Sequence, residues 1–151
     1  MRGEVEALIN AVLEEADAID DLVEVVRDQR EAVKVGDAEE MDGLMKEMHE
    51  VVFDVQTQEL RRSDRAKRLA AQFGCESCAE SLAVPMEEAE RALFNGAADR
   101  LTQSVFVLKS EMAILSGLIE QNKRYTAMLL SEWRRLIGEG AADAGAADFR
   151  G

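Results

Sequence analysis

The sequence predicts an all-α protein, an elongated antiparallel helical bundle or coiled coil of three long helices plus a short helix. Three observations carry this. Of 151 residues, 32% are charged, 5% are aromatic and one is proline, which suits long helices better than a sandwich, barrel or turn-rich fold. Apolar residues recur every seven positions in the first and last long stretches. Glycine marks the places where that periodicity breaks. The length allows one domain with a real core, expected over 1–137.

The first helix should run from about Glu4 to Val35. Val5, Val12, Ile19, Val26 and Val33 form a seven-residue series, with Leu8, Ile9, Leu22 and Val23 flanking the same face. Gly36 ends it, and Asp37 is an N-cap candidate with Glu40 in capping-box spacing. So short a connection predicts an antiparallel hairpin.

The second helix, to about Phe73, places Met41, Leu44, Met45, Met48, Val51, Val52 and Val55 on one face, followed by Ala66, Leu69, Ala70 and Phe73. Gln58, Arg62 and Arg65 interrupt that stripe, so the bundle should be thin or wet there. Gly74 closes the helix, and CESCAESLAVP reads as a connector ending at Pro85. MEEAERALF reads as a short helix that Asn95-Gly96 kinks or separates from the third long helix, Ala97 to about Ile137. In that last helix Phe94, Leu101, Leu108, Leu115, Asn122, Leu129 and Leu136 form one heptad line, beside Val105, Met112, Ile119 and Trp133. Asn122 is its single polar member. The tail at 138–151, GEGAADAGAADFRG, is small, Gly-rich and acidic, and is expected to be disordered.

A net charge of -13 argues against nucleic acid as a partner, since binding phosphates needs a basic surface. No stretch approaches the roughly 18 apolar residues of a membrane span, and the acidic N-terminus resembles no targeting signal, so the cytoplasm is the expected location. Catalytic signatures are lacking: one histidine serves the whole chain, and neither a G-x-S-x-G nor a phosphate-cradling glycine loop occurs. No cofactor is expected. Cys75 and Cys78 form a C-x-x-C, which could be a thiol switch or half of a zinc site, but His49 could add only a third ligand. Two ordinary thiols near a loop is the favoured reading. Arg61, Arg62, Arg65, Lys67 and Arg68 concentrate five of the 18 cations in eight residues, and pairing with acidic faces of helix 1 or of a second subunit is favoured over a site for an acidic partner.

The third helix is the most informative. At 1.5 Å per residue it should reach about 60 Å, against roughly 45 to 55 Å for helices 1 and 2. Leu118, Ile119, Tyr125, Met128, Leu129 and Trp133 would then be apolar surface left for another chain, with Tyr125 and Trp133 flanking it. The competing expectation is a structural or adaptor bundle that homodimerises through the same stripe.

The order of elements, "LAAQFG" (Leu69 to Gly74) before a short connector, and above all "EQNKRYTAMLL" (Glu120 to Leu130) resemble the FlgN-type flagellar export chaperones over roughly Glu4 to Ile137. The resemblance implies a cytoplasmic chaperone without enzymatic activity. It would bind the C-terminal helical regions of hook-filament junction (hook-associated) proteins, keep them unpolymerised, and deliver them to the type III export apparatus. Carried onto matching positions, the binding face would comprise Leu115, Leu118, Ile119, Asn122, Met128 and Leu129, with Tyr125 a contact for the export gate or the substrate. Cys75, Cys78 and the acidic tail depart from the family pattern.

Overall fold

The computed structural model describes residues 2–137, apart from the side chains of Arg2, Tyr125 and Ile137. Four helices follow in order: α1 (Arg2–Val35), α2 (Ala38–Phe73), α3 (Ala79–Ala83) and α4 (Glu88–Ile137), with no strand among the described residues. The all-α expectation holds. The chain divides into two compact units, Met1–Leu115 and Ser116–Gly151. The expectation of a disordered tail at 138–151 lies outside the described residues.

Within the first unit α1 is the helix that the others cover. Val5, Leu8, Val12, Ile19, Leu22, Val23, Val25 and Val26 are all buried, joined by Ala11, Ala16, Ala18 and Ala32. This arc is wider than one partner can cover, and two helices share it. Arg61 pairs with Glu14 at 3.2 Å and Gln29 meets Met45 and Met48, so positions on α2 fall as those on α1 rise, and the two run antiparallel. On α4, Arg100 pairs with Asp17 and with Asp20 (3.1 Å), and Glu111 takes Arg27 (3.4 Å) and Arg30 (2.9 Å). Here both positions rise together, so α1 and α4 are parallel.

The turns follow from their residues. Gly36, at φ 72°, adopts the left-handed conformation that costs a glycine nothing. Its N–H donates to Val33 O (3.3 Å) and that of Asp37 to Ala32 O (3.0 Å), the paired bonds of a Schellman stop. Asp37 then caps α2 by accepting from Glu40 N at 3.0 Å. Half of the expected capping box forms, because the Asp37 N–H is already committed to Ala32. Gly74, at φ 69°, ends α2, with its own N–H and that of Cys75 both directed to Ala70 O.

Two boundaries differ from the sequence expectation. The short helix is α3, inside what reads as a connector, whereas MEEAERALF is the start of α4 itself. Asn95-Gly96 does not divide α4, since a helical glycine costs about 1 kcal/mol and burial of the neighbouring Phe94 returns about 1.5–3 kcal/mol. In the connector, Leu82, Ala83 and Met86 are buried and close the end of the bundle over Leu8, Leu69 and Phe94. The Arg91 guanidinium gathers the carbonyls of Ala83 (2.9 Å), Val84 (3.1 Å) and Met86 (2.8 Å), which supplies the backbone bonds that the turn around Pro85 cannot make.

The apolar stripe of α2 is less buried than its pattern suggests. Leu44, Ala66, Leu69 and Ala70 are its buried residues, while Met41, Met48, Val51, Val52 and Val55 are half-buried and Met45 is exposed. The thin region expected around Gln58 to Arg65 therefore extends towards Met45. Polar groups on α1 answer it. Leu8, Glu15, Leu22 and Gln29 form a buried heptad line, in which Glu15 pairs with Arg62 and Gln29, 1% exposed, donates to Met45 Sδ (3.6 Å) and Met48 Sδ (3.5 Å). Among the described residues no donor meets Gln29 Oε1. Sulfur is a weak acceptor, so this amide is poorly compensated for its burial. Replacing Gln29 with Leu is expected to stabilise the protein by about 1 kcal/mol. Arg62→Ala, which strands Glu15, should cost about 2–3 kcal/mol, whereas exposed Arg65→Ala should stay within about 0.5 kcal/mol; urea denaturation of the three variants checks all of these.

Candidate functional site

The basic run on α2 is absorbed by the fold. Arg61 and Arg62 go to Glu14 and Glu15 of α1, and Arg68 goes to Asp64 of α2 itself at 3.0 Å, so three of the five cations are paired within the chain. Arg100 is held further into its charged form by its bonds first to Asp17, then to Asp20. Among the described residues no group of three or more His, Cys, Asp and Glu gathers as metal ligands would, and His49 lies exposed on α2. Nor is any described helix long and apolar enough to cross a membrane. A cavity of about 170 Å³ opens between α1, α2, α3 and α4, lined among others by Leu8, Val12, Ala66, Leu82, Phe94 and Leu101, with Arg62 at its wall. Its lining is mostly apolar and also includes Ser77 and Thr102.

The α4 heptad line behaves differently in the two units. In the first, Phe94 is buried and Leu101, Leu108 and Leu115 are half-buried. In the second, Leu118 and Ile119 are half-buried and Asn122 is exposed. Beyond them Met128 (67%), Leu129 (53%), Trp133 (55%) and Leu136 (79%) are all largely exposed. Asn122 keeps its side chain in the open, and its carbonyl accepts from the Thr126 hydroxyl at 2.9 Å. The side chain of Tyr125 lies outside the described residues, and its backbone is helical.

At 100° per residue, Leu118, Ile119, Asn122, Leu129 and Trp133 fall within an arc of about 100°, with Leu136 at its edge. Met128 lies about 80° beyond that arc and does not share the face. Leu115 belongs with the first unit. Of the residues expected on one surface, five of those in 116–137 share a face and Met128 sits on another, while Leu115 is half-buried and belongs to the first unit.

Sequence reading missed the polar members of the α1 line. Counting heptads from Leu8, as was done from Val5, lands on Glu15 and Gln29. The ring of carbonyls around Arg91 had no comparable signal, because it depends on the fold of a turn eight residues away.

The described residues thus form a helical bundle with charges paired between its helices, and the last helix ends in a stretch that exposes large apolar side chains. The model of the FlgN protein family matches residues 1–141, and the chain belongs to that family, one of flagellar export chaperones. No curated protein and no solved structure matches the chain. Because the face on 116–137 is exposed, Leu129→Asp should shift the unfolding free energy by less than about 0.5 kcal/mol, whereas Leu8→Ala in the core should cost about 2–5 kcal/mol, both read by urea denaturation.

Proposed function

We propose that the apolar face formed by Leu118, Ile119, Asn122, Leu129 and Trp133 receives the C-terminal helical region of a hook-associated junction protein. The chain holds that client unpolymerised in the cytoplasm and passes it to the export apparatus, with Tyr125 a contact for the export gate or the client. The observation that carries this reading is that large apolar side chains continue the heptad line of a core helix and yet stay exposed. A helix with a matching stripe would gain about 1.5–3 kcal/mol for each such side chain it buried fully, with no nucleotide required.

Asn122 adds selectivity. A polar residue in an apolar seam weakens every register, and weakens least the one whose partner satisfies its amide. Met128, on a different face, is a flexible thioether that can adapt to a second contact.

The experiment is co-purification with a candidate junction protein, with and without its terminal helices. Capture should be lost when those helices are deleted, and persistence of capture would refute the binding mode. Leu118→Asp combined with Leu129→Asp should weaken binding by at least about 30-fold while leaving far-UV circular dichroism unchanged. The same exposed stripe favours a second reading, a bundle that homodimerises through it. In that case these changes turn a stable dimer into a monomer with less helix, which sedimentation and circular dichroism detect.

A further inference from the structure

The two cysteines are left unused by the bundle and by the client-binding reading. Both are free thiols placed in one loop with different surroundings. Cys75 follows Gly74, is half-buried, and packs against the core cluster. Cys78 is exposed, opens α3, and sits 3.1 Å from Ser81 Oγ, to which its thiol donates. When the thiol ionises the contact reverses, with the hydroxyl donating to sulfur, and this holds the Cys78 thiol below its ordinary value although nearby Glu76 opposes it. The attacking species in thiol chemistry is the thiolate, and the exposed Cys78 is the sulfur that a soluble disulfide can reach.

The two thiols are three residues apart in one segment, whose chain bends at Cys75 and again at Ser77 and Cys78, outside any helix. Two intervening residues keep the α-carbons within about 11 Å, and a disulfide needs about 4.4–6.8 Å, so closing the bond draws this one segment together.

We propose that Cys75 and Cys78 form a reversible dithiol–disulfide pair that exchanges with small-molecule disulfides of the glutathione type, Cys78 attacking and Cys75 resolving. In the first step the Cys78 thiolate attacks one sulfur of the disulfide RSSR, forming Cys78–S–S–R and expelling RS⁻. In the second, Cys75, having lost its proton, attacks Cys78 Sγ, which closes the Cys75–Cys78 bond and expels the second RS⁻. The chain gives up two electrons and two protons, and RSSR leaves as two RSH. Closing the bond draws the Cys75 sulfur from its place against the core, and Ser77 and Ala79, which line the cavity, lie within and beside the closed ring.

The test treats the reduced full-length chain with oxidised glutathione, quenches with N-ethylmaleimide, and weighs the intact protein over time. Wild type should lose both alkylatable thiols without a retained glutathione and without a covalent dimer. Cys75→Ser should accumulate one glutathione, on Cys78, and Cys78→Ser should react at least about tenfold more slowly at Cys75. Cys75→Ala serves as a second variant, with circular dichroism showing that each chain is folded. Retained adducts on both cysteines of wild type, disulfide-linked dimers, or equal rates in the two single variants would overturn the proposal.

Discussion

Burying a carboxylate between helices costs several kcal/mol unless a cation meets it, and Glu15, buried on α1, meets Arg62 of α2. That pair constrains the bundle more tightly than its apolar contacts do. Sliding α2 by one heptad would set Arg62 against Leu8 or Leu22 and leave Glu15 facing apolar side chains, while a Val or Leu stripe would tolerate the slip. Gln29, two heptads further on, adds a weaker check, because its amide finds the two thioethers of Met45 and Met48 in this register. The thin apolar stripe of α2 is thus offset by polar groups that specify where it sits.

On its other side α1 is fixed to α4 by charges of alternating sign. Asp17 and Asp20 hold Arg100, Asp20 also accepts from Ser104 at 2.7 Å, and Arg27 and Arg30 hold Glu111. The apolar contacts between them are heptad contacts that many offsets would satisfy, so the ionic pattern selects among offsets. With both flanks occupied, α1 spends nearly all of its apolar surface on the chain's own core. Met128, Leu129, Trp133 and Leu136 stay largely exposed, whereas the apolar line of α1 is buried.

The helix that defines the core and the stretch that leaves large apolar side chains exposed are different parts of the chain. In the first unit the α4 line contributes Phe94 and half-buried leucines to packing, and in the second the line is exposed. Substitutions at these exposed positions should have little effect on stability, because little tertiary burial is lost.

The sequence by itself determined the long helices, the glycine stops at Gly36 and Gly74, the Asp37 cap, the α1 core and the family, because each depends on local chemistry or on a period that runs through uninterrupted helix. Helix geometry sets Leu118, Ile119, Asn122, Leu129 and Trp133 on one side of α4 and Met128 on another, a division that apolar character alone does not reveal. Only the tertiary structure decided that α3 forms from Ala79 to Ala83, that α4 passes through Asn95-Gly96, and that Arg91 ties down the turn at Pro85. Those features rest on contacts between segments, where burial of Leu82 and Phe94 outweighs weak local preferences that a one-dimensional pattern reads at face value. Arg62 shows the difference most plainly, since in sequence it interrupts an apolar stripe and in the fold it is the cation that Glu15 requires.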